Sequence, residues 1–175
     1  MIRKTALFTV CLMCLPAYAE TFFDLGASAT RVESRIANTT RPTSRNDSGL
    51  HVGLGARRTI GERSDIGVRI ELDNVNSNLL LAVRALDYRY HLSDRIALGG
   101  FIGAARLDLG TPAYGYYLGI GVHFKEVLER WDLSVDLRNG NKVARDNVLP
   151  TDPQGGQVDN FHDITGVTIV LSRSF

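Results

Sequence analysis

The stretch that decides the fold is Asp163–Phe175, DITGVTIVLSRSF. Counted back from Phe175, the residues Arg173, Leu171, Ile169 and Val167 fall two apart, with Ser174, Ser172, Val170, Thr168 and Gly166 between them. Alternate side chains of a strand point to opposite faces, so this stretch has one mostly apolar face and one small, largely polar face. Chain ends are ordinarily frayed and polar. This one finishes on an aromatic residue in step with the alternation, which predicts a terminus held within a sheet.

The same alternation recurs seven times upstream. FFDLGASAT (22–30), LHVGLGAR (50–57) and IGVRIELD (66–73) each set Leu, Ile, Val or Ala against Asp, Gly, Ser, His, Arg or Glu. LDYRYHL (86–92), YGYYLGIGVHF (114–124) and WDLSVDLR (131–138) do likewise, and RIALGGFIGAARL (95–107) is strand-like with small and apolar residues on both faces. In LLLAVRALDYRY the outward set fits Leu79, Leu81 and Val83, then changes parity at Leu86. One parity throughout would put Arg84 outside. A β-bulge near Ala85 resolves the conflict, because one extra residue shifts the register.

The connections alternate in length. Gly61–Ser64, Ser93–Asp94 and Lys125–Arg130 are short to moderate; Glu33–Asp47, Asn74–Asn78, Asp108–Ala113 and the long Asn139–His162 lie at the other end. Short turns at one end and longer loops at the other are the habit of transmembrane barrels.

The N-terminus adds a compartment. Arg3 and Lys4 precede an apolar stretch, Thr5 to Leu15, and Ala17-Tyr18-Ala19 is a small-x-small cleavage site. This reads as a secretory signal peptide over residues 1–19, leaving a single domain over residues 20–175. Both cysteines, Cys11 and Cys14, leave with it, and the residues before them do not suit lipidation. The remaining chain is then expected to hold no disulfide and no Cys-ligated metal. Without Arg3 and Lys4 the charge is near neutral, from 20 Lys+Arg and 19 Asp+Glu in the whole chain, so no electrostatic case for nucleic acid arises. No later apolar run approaches the ~18 residues of a membrane helix.

Which face is outside decides between a membrane barrel and a periplasmic lipocalin-like one. The polar face carries Gly26, Gly53, Gly55, Gly67, Gly119 and Gly121. Glycine weakens strands and has no purpose on a solvent face, whereas inside a narrow eight-stranded barrel it makes room for Arg69, Arg89, Arg138 and Tyr117. Aromatics also fall in two bands. Phe22, Phe23, Tyr88, Tyr90, Phe124, Trp131 and Phe175 lie toward the expected periplasmic edge, Tyr114, Tyr116, Tyr117 and Phe161 toward the outer one, and Phe101 between. Such girdles mark outer-membrane barrels. A terminal strand that pairs with the first would satisfy every backbone polar group, as a bilayer requires.

On these features the chain resembles the small eight-stranded outer-membrane barrels of Gram-negative bacteria, of the OmpA-transmembrane-domain and OmpX type. The resemblance implies an all-β, eight-stranded antiparallel up-and-down transmembrane β-barrel in the cell outer membrane, monomeric and in contact with outer-membrane lipid and lipopolysaccharide. It also implies that Val167, Ile169, Leu171 and Phe175 form the signal read by the barrel-assembly machinery. Arg173 departs from that pattern, since an aromatic or apolar residue is usual there.

An inward polar face would bury Asp24, Arg57, Arg69, Glu71, Asp87, Arg89, Asp132, Asp136 and Arg138. An unpaired buried charge costs several kcal/mol, so a hydrogen-bonded network is expected, built on Arg69, Glu71, Asp87, Arg89, Asp132, Asp136 and Arg138. It would fill the lumen; a gated ion path along it is the alternative.

Some small barrels are lipid A-modifying enzymes of the PagP and PagL type, which use a His with a Ser and an acidic group. Here His51, His91 and His123 fall on the inward face, and His162-Asp163 at the outer rim is the catalytic candidate for such an activity. No segment resembles either enzyme's active-site motif. No zinc-type His/Cys spacing occurs, and GLGARR lacks the helix of a phosphate loop, so no cofactor is expected. Arg35, Arg41 and Arg45 make the first loop basic, a candidate contact for lipopolysaccharide phosphates.

Overall fold

A computed structural model of the chain describes residues 19–36, 42–75, 78–108, 112–144 and 160–175. Residues 1–18, on which the expected signal peptide falls, and residues 37–41, 76–77, 109–111 and 145–159 lie outside the described residues.

The eight alternating segments form eight strands: β1 (Glu20–Ile36), β2 (Thr43–Ile60), β3 (Ser64–Val75), β4 (Asn78–His91), β5 (Ile96–Asp108), β6 (Pro112–Leu128), β7 (Trp131–Ala144) and β8 (Asn160–Ser174). Each pairs antiparallel with the next, and β8 returns to β1 to close the barrel. The seam runs from Phe22↔Ser174 through Leu25↔Leu171 to Ile36↔Asn160, and Phe175 N donates to Thr21 O at 3.0 Å. Closure removes the unpaired edge that an open sheet would expose.

At the end where β1 starts and β8 finishes, called here the end of the termini, the connections are tight. Gly61 takes a φ of 68°, a left-handed conformation that a residue without Cβ adopts at little cost. Pairing in β6 and β7 continues to Leu128↔Trp131, so their connection is shorter than the Lys125–Arg130 span read from sequence. The irregularity sits inside β6, where Glu126 has a φ of 52°, followed in the turn by Arg130 at 63°.

The sidedness is unambiguous. Leu54 and Ile120 are 62% and 65% exposed, whereas Arg69 and Glu71 are 1% and 0% exposed. Apolar side chains therefore cover the outside and charged ones the inside, the reverse of a lipocalin-like barrel. This is an eight-stranded antiparallel up-and-down transmembrane β-barrel.

The bulge lies at Ala85. Register shifts between Arg84 and Leu86 against β5, and between Gly67 and Arg69 on the β3 side. Arg84 is thereby turned inward while Leu86, Tyr88 and Tyr90 keep the outside.

Phe22 departs from the bands read in the sequence, while Tyr117, also placed in a band, is inside as the glycine argument expects. Phe22 and Tyr117 are each 1% exposed and point into the lumen. Parity outranks position here: each lies an even number of residues from an inward neighbour, Asp24 and Gly119 respectively. Glycine makes the room. A Cβ at Gly55 would collide with the Phe22 ring, and one at Gly119 with the Phe101 ring, which itself packs 5.1 Å from Tyr117. Phe23, Tyr88, Tyr90, Phe124, Trp131 and Phe175 do not share this burial, nor do Tyr114 and Tyr116 at the far end. The Phe161 side chain lies outside the described residues.

The barrel is taller on one side. Pairing of β2 with β3 stops at His51↔Asp73, while β2 pairs with β1 up to Ser34↔Thr43 and β1 with β8 up to Ile36↔Asn160. A β8–β1–β2 sheet thus stands beyond the end of β3, away from the termini.

Candidate functional site

Inward-facing positions of neighbouring strands meet at the same height, and the narrow cylinder brings opposite strands within side-chain reach. The result is a buried charge cluster in two linked parts.

Arg69 of β3 spans three strands. Its Nη1 lies 2.9 Å from Asp24 Oδ2 and its Nη2 lies 2.9 Å from Asp87 Oδ2. Asp24 also accepts a hydrogen bond from Ser172 Oγ across the seam. Arg84 of β4 reaches Glu71 Oε1 at 2.6 Å and Asp136 Oδ2 at 2.7 Å through one nitrogen, with its guanidinium 3.6 Å over the Phe101 ring. A cation over an aromatic face gains from the ring quadrupole, most when desolvated.

Arg138 of β7 grips Asp73 with both amino groups, at 2.7 and 3.1 Å, and donates to Tyr117 OH at 3.2 Å and Thr30 Oγ1 at 3.3 Å. Tyr117 OH in turn donates to Glu71 Oε2 at 2.9 Å. His51 Nδ1 stands 3.0 Å from Asp73 Oδ1. Glu71 is therefore the joint between the Arg69–Arg84 part and the Arg138–Asp73 part.

Five of the seven network residues expected from the sequence meet in this way: Arg69, Glu71, Asp87, Asp136 and Arg138. Arg89 is buried beside them, but its nearest ion-pair contact is Asp87 at 3.9 Å. Asp132 stands apart. It is half-buried at the hairpin and its Oδ1 accepts from Glu126 N at 2.9 Å, which stabilises the left-handed residue there. The sequence reading misses Arg84 as a network member, although the parity break at Ala85 is the signal that turns it inward. It also leaves His51 without a partner, because a contact between β2 and β3 residues depends on register.

Toward the end away from the termini the lining changes character. Val75, Leu80, Ala82, Leu107 and Ile164 are buried together with Phe101 and Tyr117, and Val32 packs against them. Beyond this apolar layer a cavity of about 330 Å³ is lined by Val32, Ser34, Thr43, Ser44, Arg45, Asp47, Val75 and Leu107.

His162 sits at that rim, with Nδ1 2.8 Å from Ser34 Oγ, its cross-strand partner. Burial lowers the imidazole below its usual pKa, and Asp163 works the other way. Asp163, one residue on in the strand, faces the opposite side, so the His162-Asp163 pair does not converge on one point. A second Ser–His contact, Ser134 Oγ to His123 Nδ1 at 2.7 Å, is sealed in the lumen, with the two residues 0% and 3% exposed. Its Nε2 lies 4.0 Å from Asp136 Oδ1, outside hydrogen-bond reach.

No family model matches the sequence, and no curated protein does either. Solved structures do match. Ail, the attachment invasion locus protein of Yersinia pestis, aligns over 90% of this chain and 99% of its own with a TM-score of 0.56 and 10% identity. The likeness is one of fold. The outer membrane protein Ail in a phospholipid bilayer nanodisc gives a TM-score of 0.50 at 9% identity, over 90% of this chain and 99% of that one. Neisserial surface protein A gives 0.50 at 14% identity, over 87% of this chain and 97% of that one. The resemblance read in the alternation is thus met by structures of small outer-membrane barrels, at an identity that leaves roles open.

Proposed function

We propose that this chain is an integral outer-membrane protein of structural or interaction type, exported by a cleaved signal peptide (1–19), with residues 20–175 forming a barrel closed to ions. The observation that carries this is the sequence of two fillings along one lumen. A charged layer centred on Arg69, Arg84 and Arg138 is followed by the apolar layer of Val75, Leu80, Leu107 and Ile164. A permeating ion would leave water at the first layer and meet, among the described residues, mainly apolar side chains at the second, where an unpaired charge is costly.

The β8–β1–β2 extension then faces outward from the cell, with exposed Arg45 suited to lipopolysaccharide phosphates; Arg41 and the Arg35 side chain, the other two basic groups of that loop, lie outside the described residues. Val167, Ile169, Leu171 and Phe175 would serve recognition by the assembly machinery. The deciding experiment is reconstitution into planar bilayers together with outer-membrane fractionation. A heat-modifiable band in the outer-membrane fraction and no single-channel steps agree with the proposal. Steps that vanish in Arg84→Ala or Arg138→Ala contradict it in favour of a pore.

One contact favours a second reading. Ser34 Oγ on His162 Nδ1 is the pairing a lipid-modifying hydrolase would need at the rim. Lipid A mass spectra from wild-type, deletion and His162→Ala strains test it; three identical profiles remove it.

A further inference from the structure

The β-bulge at Ala85 leaves a mark on the lipid-facing wall. Gly67 pairs with Asp87 and Arg69 with Arg84, so Val68 stands opposite both Ala85 and Leu86. A bulged strand sets two residues where its partner has one. Ala85 and Leu86 are accordingly both exposed, side by side on the outer face. Ala85 ends at its Cβ, and Ala56, the partner of Val68 on β2, is as short. A groove of about 220 Å³ results, bordered by Val68, Leu86, Ile66 and Arg58.

Arg58 gives the groove a polar end. It takes an outward position beyond Ala56, opposite Ile66, which in turn lies opposite Tyr88. Tyr88 is 39% exposed, and its hydroxyl shares a hydrogen bond of 2.9 Å with Ser64 Oγ. Arg58 thus stands level with the aromatic girdle, while Val68, Leu86 and Ala85 lie one step deeper in the apolar band. Among the described residues no carboxylate pairs with Arg58. Ala19, the last residue of the expected signal peptide, borders the groove as well, and its removal would leave that side open.

We propose that this groove holds one net-anionic glycerophospholipid of the periplasmic leaflet, its phosphate on the Arg58 guanidinium and an acyl chain along Val68 and Leu86 over Ala85. The proposal rests on the outer-membrane placement above, since a bilayer is what covers this face. A guanidinium can pair with phosphate through two parallel charge-assisted bonds, and the apolar walls receive a chain of the same molecule. A phosphoethanolamine headgroup brings its own cation beside Arg58; a phosphoglycerol headgroup does not.

The test places the barrel of residues 20–175 in phosphatidylcholine nanodiscs and follows amide shifts by NMR as phosphatidylglycerol is added. Shifts at Ala56, Val68 and Ala85 should saturate in the wild type, and phosphatidylethanolamine should not produce them. Arg58→Gln should weaken the apparent affinity about tenfold. Ala85→Leu, which fills the groove, should weaken it too. Arg173→Gln removes another outward arginine at the same edge, beside Trp131, and should change nothing. Equal losses in Arg58→Gln and Arg173→Gln, or shifts indifferent to Arg58→Gln, overturn the site. A barrel that does not enter the nanodisc overturns the membrane placement and this site with it.

Discussion

Arg138 and Asp73 meet across the lumen in a bidentate pair, at 2.7 and 3.1 Å, although their strands β7 and β3 are not neighbours. The pair ties opposite walls together, and both partners are fully buried at the side chain. Removing one partner strands the other charge in a dry interior. Asp73→Ala should therefore cost about 3–5 kcal/mol, read from the shift of the urea midpoint of the refolded barrel. Asp73→Leu combined with Arg138→Met should recover most of that loss. A double variant no better than the singles would show that the pair acts through something other than mutual charge.

The bulge offers a sharper test of register. Deleting Ala85 makes Arg84 and Leu86 consecutive, so plain alternation keeps Arg84 inward and Leu86, Tyr88 and Tyr90 outward without a bulge. The deletion should therefore leave the heat-modifiable band on a detergent gel. Deleting Val83 instead puts Arg84 on the lipid face in the same alternation and should abolish the band.

A Cβ at Gly119 would meet both the Leu137 carbonyl oxygen and the Phe101 ring. Gly119→Val should therefore destabilise by about 1–3 kcal/mol through overpacking, and Phe101→Ala in the same chain should relieve only the share that the ring contributes. Equal midpoints for Gly119→Val and wild type would mean the lumen is looser than described.

At the rim nearest the termini, Asp65 has its pKa lowered. Burial is the largest influence and would raise it, but hydrogen bonds from His91 and Thr59 and the nearby cations outweigh burial. A carboxyl whose folded value is depressed adds stability above its unfolded value near 3.8, and that stability is lost as pH falls through the folded value. Acidification below pH ~4 should lower the unfolding midpoint of the wild type more than that of Asp65→Asn. Parallel curves would contradict this.

Much of the fold was legible because a closed barrel imposes period-two alternation on every strand, and even the defect at Ala85 shows as a parity break. Phe22 shows the limit: its distance from the strand end suggested a girdle, while its parity with Asp24 placed it inside. The partners in the lumen were legible only as a set. Arg138 with Asp73, and Arg84 with both Glu71 and Asp136, are contacts across the cylinder, fixed by the stagger of strands that no single segment encodes. The apolar layer was missed for the same reason. Val75 and Leu80 flank one loop and Leu107 another, and nothing local says that they meet Ile164.

The central claim is sidedness in a bilayer. Spin labels placed singly at Leu54, Ile70, Ile120 and Ile169, all more than 45% exposed, measure it directly in lipid vesicles. The account predicts frequent collisions with lipid-dissolved oxygen and few with a water-soluble nickel chelate at all four. Ready collision with the nickel chelate at these positions would put that face in water and contradict the membrane barrel.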